Sequence, residues 1–269
     1  KNKTTVKLGL IGLLITSLLL LFSFSVFAQT VPFGATVTDI NSTKAPTDAA
    51  GTDAAQAGNI TQLGIMGYSI TESWQGYFGN VTGTIVLADS GDQHLYNWTL
   101  ATPEGEIYAA NQTVTWTNIQ CFNYTATGNW MNSTDMAGGV SLNGTNLTQL
   151  EGYYNIGPSD PDGVNETFTL LHGGAAEHDA FFTASKQFSA GECISTRLYD
   201  STNAPVANNF EEVLLYDPAG RIPIYVALLE ETVVAGFNDQ SNDFQMIVLE
   251  DGHNSDTATT TYNFYVELE

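Results

Sequence analysis

The chain has 269 residues, of which 7 are Lys or Arg and 29 are Asp or Glu, so its formal net charge is -22 although only 13% of its residues are charged. A polymer so poor in cations is repelled by nucleic-acid phosphates and by anionic lipid headgroups, which excludes both as electrostatic partners. With 43% hydrophobic and 11% aromatic residues it can bury a core, which excludes wholesale disorder.

Lys1, Lys3 and Lys7 flank the start of an apolar run over 8–24, and Val26, Phe27 and Ala28 precede Gln29. A basic start, an apolar middle and small residues before the cut predict a signal peptide over 1–28, cleaved after Ala28. The alternative is a retained membrane anchor, because the run approaches the ~20 residues that span a bilayer. Residues 29–64 are rich in Ala, Thr, Asp, Gly and Asn. They cannot bury enough surface to fix a conformation, so they read as a flexible stalk. Within it Val31, Phe33, Val37 and Ile40 suggest one ordered element over 31–40, a donated β-strand.

From residue 65 the texture changes to short aromatic and β-branched runs separated by turn formers. Strands are predicted over 83–88, 95–100, 107–116, 212–216, 222–229, 244–249 and 260–268. Turns are predicted at Asp89-Ser90-Gly91-Asp92, Pro103-Glu104-Gly105-Glu106 and Asp217-Pro218-Ala219-Gly220. This pattern predicts one all-β domain over 65–269, an antiparallel β-sandwich of Ig-like or jelly-roll-like type. Over 95–100, Tyr96, Trp98 and Leu100 alternate with Asn97 and Thr99, which places the two sets on opposite faces. A short helix is predicted over 146–156, with Leu147, Leu150, Tyr153 and Tyr154 on one side. An even pair of cysteines in an exported chain is most simply a disulfide, here Cys121–Cys193, which would pin 121–193 at its base as an insertion.

Asn-x-Thr, the acceptor of N-linked glycans, occurs at Asn41, Asn59, Asn80, Asn97, Asn111, Asn123, Asn132, Asn143, Asn146 and Asn165. Random placement of 21 Asn and 49 Ser plus Thr would give roughly four such sites. The last hundred residues hold seven Asn and no acceptor. A glycan cannot occupy a contact surface, so this half is expected to face a neighbouring subunit or the envelope.

Signatures of catalysis are absent: there is no Gly-x-Ser-x-Gly elbow, phosphate-cradling Gly-rich loop or His-Glu-x-x-His helix. His172 and His178, with Glu177 and Asp179, form one cluster of metal-binding or acid–base type. Asp89 and Asp92, Asp160 and Asp162, and Asp239 and Asp243 are acidic turn pairs able to offer oxygen to Ca²⁺, so no cofactor is expected other than calcium. Trp74, Tyr77, Phe78, Trp98, Trp116 and Trp130 could stack on sugars if exposed. Alternation assigns Trp98 and Trp116 to the core, and its polar surroundings place Trp130 outside.

Trp74-Gln-Gly-Tyr-Phe-Gly-Asn-Val-Thr-Gly-Thr, Leu95-Tyr-Asn-Trp-Thr-Leu, Gly105-Glu-Ile-Tyr-Ala and Tyr262-Asn-Phe-Tyr-Val-Glu-Leu resemble a group of secreted archaeal cell-surface proteins that carry no assigned activity. The resemblance spans 65–269 and implies an archaeal surface setting with dense Asn-x-Thr glycosylation. The expected function is a non-enzymatic, glycosylated structural or adhesive surface protein, able to assemble with copies of itself or with other envelope proteins as a filament or coat. The alternatives are a carbohydrate-binding receptor domain and a secreted hydrolase using scattered carboxylates.

Overall fold

The computed structural model describes residues 31–124, 146–169, 178–252 and 257–268. The proposed signal segment, Asn132, Asn143, Trp130, His172 and Glu177 lie outside them. The described residues form an all-β, sandwich-like, antiparallel fold with two short helices.

Its centre is the hairpin of β10 (Glu211–Asp217) and β11 (Ile222–Leu228), joined by the turn expected at Asp217-Pro218-Ala219-Gly220. Every residue of β10 and all of β11 except Leu228 are buried, as in strands covered on both faces. Beside β11 lies β5 (Gly105–Ala110), then β13 (Asn263–Leu268). The edge beyond β13 is capped by β1 (Phe33–Gly34), paired Phe33 to Val266. The donated strand foreseen over 31–40 is therefore two residues long, and it is donated to the sheet of its own chain.

On the far side two short strands share the edge of β10. β9 (Ser195–Arg197) pairs with Glu211 to Val213, and β6 (Gln120–Cys121) with Leu215 and Tyr216. The changeover falls at Leu214, whose N–H donates to Ile194 and whose carbonyl accepts from Phe122. The Cys121–Cys193 disulfide, with Cα atoms 5.0 Å apart, clips this joint together.

Alternation along the central strands builds two cores. One face carries Ile107, Ala109, Leu214, Tyr216, Tyr225 and Ala227. It is covered by the ribbon of β12 (Phe244–Leu249) with β2 (Trp74–Gly79), by α1 (Leu147–Tyr153), and by the start of α2 (Val164–Thr167). The other face carries Tyr108, Val213, Leu215, Ile224 and Val226. It is covered by the hairpin of β7 (Phe181–Thr183) with β8 (Lys186–Phe188), whose Phe181 and Phe188 rings stack 5.0 Å apart, and by the disulfide. The 121–193 segment thus covers both faces of the sheet.

α1 forms where the 3.6-residue spacing predicted it. Asn146 caps it reciprocally, its Oδ1 accepting from the Gln149 N–H at 2.8 Å while Gln149 Oε1 accepts from the Asn146 N–H. Leu147, Leu150 and Tyr154 are buried, but Tyr153 is exposed. Tyr154 falls seven residues after Leu147 and four after Leu150, squarely on the buried stripe, whereas Tyr153 is rotated off it.

At the start of β5 the backbone of Gly105 has φ +122°, and a Cβ there would lie 2.1 Å from the Glu267 carbonyl oxygen of β13. Gly105→Ala should therefore combine left-handed strain with a backbone clash. The expected loss is about 2 kcal/mol of unfolding free energy, read as a lower urea midpoint at unchanged slope.

Two parts of the chain stand away from these cores. Residues 36–72 contain no helix or strand and are almost wholly exposed, with Ile60, Ile65 and Met66 reaching 90–101%. The second is the hairpin of β3 (Thr84–Ala88) with β4 (His94–Thr99), every residue of which is exposed. Trp98, assigned to the core from its alternation, is exposed too. The alternation itself is present: Ile85 faces Trp98 and Leu87 faces Tyr96, while Val86 and Asn97 share the other side. Among the described residues no second layer covers either face.

Candidate functional site

Two carboxyls with raised pKa values, Glu211 and Glu230, meet where the N-terminal end of β10 and the ends of β11 and β7 converge. A pocket of about 420 Å³ is lined there by Glu104, Glu106, Asp179, Glu211, Glu230 and Glu231, with Phe181, Phe182, Leu228 and Leu229 among its apolar walls. Glu211 opens β10 and is buried. Its Oε2 accepts from the Asp179 N–H at 2.6 Å, and its Oε1 from the Asn208 N–H and from Arg197 Nε, each at 3.3 Å. Glu230, two residues past β11, accepts the Phe210 N–H. Phe210 is buried with φ +45°, an unfavourable conformation for a bulky residue, so this carboxyl group steadies a strained turn.

Burial, followed by like charge from Glu211, Asp179 and Glu231, pushes the Glu230 carboxyl up to about 7, against the opposing bond from Phe210. Glu211 is also raised, again by burial first, although its hydrogen bonds and Arg197 favour the charged form. Glu230 can therefore hold or release a proton near neutrality, the property of a general acid or base. Next to Glu211 in sequence, Glu212 faces the opposite core and is fully buried. Its Oε2 accepts the Ile247 N–H of β12 at 2.8 Å, Oε1 has no partner, and burial raises its pKa well above the usual carboxylate range. It ties the central sheet to the β12–β2 ribbon as a neutral acid.

No protein-family model, curated protein or solved structure matches this chain.

Most carboxylates of the acidic turns proposed for calcium accept hydrogen bonds from the protein itself. Asp89 Oδ1 accepts from the Gly91 and Gln93 N–H groups, and Asp92 lies 3.5 Å from His94 Nε2. Asp160 Oδ2 accepts from the Gly157 N–H, while Asp162 Oδ2 accepts from the Thr71 hydroxyl. Asp243 Oδ2 accepts from the Val81 N–H, and Asp239 occupies a left-handed turn position at φ +59°. Among the described residues no three His, Cys, Asp or Glu side chains form a group that could hold a metal ion. Of the histidine cluster, His178 is buried. Its Nε2 accepts the Cys193 N–H at 3.0 Å and its Nδ1 donates to the Asp179 carbonyl at 2.7 Å, which fixes a neutral ring beside the disulfide. Both nitrogens are thereby occupied in positioning the backbone.

Sequence reasoning missed Glu211 and Glu230. The signal available was two acidic doublets, Glu211-Glu212 and Glu230-Glu231, set directly against strongly apolar strands. A carboxylate in such a run is either paired or neutral.

Of the eight acceptor asparagines among the described residues, Asn41, Asn59, Asn80, Asn97 and Asn165 are exposed, and Asn111, Asn123 and Asn146 are half-buried. Asn111 is already engaged: its Nδ2, the atom that would carry a sugar, donates to the Tyr154 hydroxyl at 3.1 Å, and its Oδ1 is buried without a partner. The acceptor-free final hundred residues supply β10, β11, β12, half of the first core and most of the second. Asn203, Asn208 and Asn263 within them are nonetheless exposed. Large exposed apolar residues are densest at 60–68 and on the β3–β4 hairpin, and Tyr153, Tyr199, Val233 and Phe237 are exposed elsewhere.

Proposed function

We propose that this protein is a glycosylated, extracellular structural or adhesive component of the cell surface that assembles with copies of itself as a filament or coat subunit. The observation that carries this reading is the exposure of Asn-x-Thr acceptors across segment, hairpin and loops, on a disulfide-clipped fold whose large apolar residues at 60–68 and on β3–β4 lie open. A sugar coat keeps such a surface soluble, and a disulfide suits an oxidising exterior. The expected cofactor content is none, calcium included as a measurable alternative.

Glycopeptide mass spectrometry of the chain taken from its native cells tests the premise. Modification is expected at Asn41, Asn59, Asn80, Asn97 and Asn165, with Asn111 largely unmodified. Bare asparagines at all of them would overturn the reading. Electron microscopy of the same material should find polymers; monodisperse particles would remove the assembly part.

A second reading, a secreted hydrolase, is favoured by one observation, the Glu230 carboxyl poised near 7 in an acidic pocket with apolar walls. It requires hydrolytic activity that Glu230→Gln abolishes while leaving the fold intact.

A further inference from the structure

An isolated two-stranded hairpin is at best marginally stable in water, yet β3–β4 stands alone with Ile85, Leu87, Tyr96 and Trp98 on one face and no described residue covering them. The Tyr96 and Trp98 rings lie 4.9 Å apart, tilted by 58° to each other, so the face is ridged and does not offer the flat platform on which a sugar ring stacks. A comparably bare surface exists elsewhere in the same chain: Ile60, Leu63, Ile65, Met66 and Tyr68, in a segment where residues 59–70 include no charged side chain. In a protein of net charge -22 such an uncharged strip can approach another copy without repulsion, and β3 and β4 likewise contain no acidic residue.

The two surfaces join the body at opposite ends of one strand. The segment is fastened just before β2, where the Thr71 hydroxyl donates to Asp162 at 2.5 Å and the Glu72 carbonyl accepts from Gly252 at 2.9 Å. The hairpin leaves just after the other end of β2, beyond Gly79. Six residues of strand set these two points of attachment about 20 Å apart. A contact between two different surfaces of one chain is head to tail, and where its rotation does not close a ring it propagates into an open chain.

We propose that the segment 63–68 of one copy, clear of the glycan expected at Asn59, packs on the Ile85, Leu87, Tyr96 and Trp98 face of the β3–β4 hairpin of a second copy. This rests on the reading of the protein as a self-assembling surface component and names the contact by which it assembles. At about 200 Å² for a fully exposed large side chain, the fractional exposures give roughly 600 Å² of apolar surface on residues 63–68 and roughly 400 Å² on the hairpin face. Together they are near the ~1,000 Å² of total burial that marks a specific interface. Asn97 points to the opposite side of the hairpin, beside Val86, so a glycan there leaves the docking face clear.

The test uses the full chain carrying Met66→Cys and Leu87→Cys, purified under native conditions and run without reductant. The native cysteines are buried in their own bridge and do not compete. A ladder of covalent dimers, trimers and higher species is expected, together with dimers alone when the two single variants are mixed. A link within single chains, or no link in folded protein, would overturn the proposal. Trp98→Glu provides the second readout: it should shift the wild-type assembly to monomers by light scattering, while Trp98→Phe should not. Glycosylated polymers that never link through these cysteines would remove this contact and leave the surface-protein reading standing. A bare, monomeric chain would remove both.

Discussion

Replacement of both Cys121 and Cys193 by Ser should lower the free energy of unfolding by about 4 kcal/mol, because the bridge closes a loop of 72 residues that the unfolded chain would otherwise explore freely. The loss should concentrate at one place. β6 contributes only two residues and β9 three, and each holds its half of the β10 edge through a few hydrogen bonds. Without the bridge, residues 120–122 are expected to fray first, uncovering Leu215 and Tyr216. Hydrogen exchange should report loss of protection at Phe122 and Leu214 before any change at Tyr225, which is buried in the middle of the sheet. Equal loss of protection at Tyr225 would mean that the bridge supports the whole fold and not its edge.

Stability should fall as pH rises from about 5 through 7, because several carboxyls carry raised pKa values in the folded state. Glu211, Glu212 and Glu230 all have folded pKa values above the unfolded one, so the folded state keeps protons that the unfolded state releases. Their contribution is complete below the unfolded value and is lost as pH climbs through each folded value. For Glu230 that window closes at about 7, and its partial exposure reduces its share to roughly 1–2 kcal/mol. Asp200 has the opposite sign: hydrogen bonds from Thr202, side chain and then backbone, lower its pKa, so its contribution is lost as pH falls through the folded value. The optimum should therefore lie in mildly acidic solution. Glu230→Gln keeps the acceptor for the Phe210 N–H and removes the titration, so chemical denaturation should show a flatter profile between pH 5 and 7. An unchanged profile would mean that another group carries the effect.

Much of the architecture was legible because it depends on short-range patterns. The β10–β11 hairpin announced itself by two apolar runs around Asp217-Pro218-Ala219-Gly220. The spacing of Leu147, Leu150 and Tyr154 marked α1, and two cysteines in a chain with an export-like start marked the bridge. Trp98 marks the limit. Alternation tells which side chains share a face, and β4 has that alternation, but whether a face is covered depends on what else folds over it. For β3–β4 nothing among the described residues does. The acidic pocket was hidden for a related reason: the pairing of β10 with β11 brings Glu230 near Glu211, Asp179 reaches Glu211 from just before β7, and no spacing along the chain encodes that meeting.

The position of β5 between β11 and β13 constrains how the molecule comes into being. Ala109 pairs with Tyr225, 116 residues later (225 minus 109), and Ala110 with Asn263, 153 residues later (263 minus 110). A strand whose neighbours are so distant has nothing to zip against while the chain is still being made, so β5 must remain unpaired until its partners β11 and β13 have emerged. Such late closure is slow and leaves β5 exposed to wrong partners during assembly, but it also yields a chain that can be passed along in extended form before it commits to its shape.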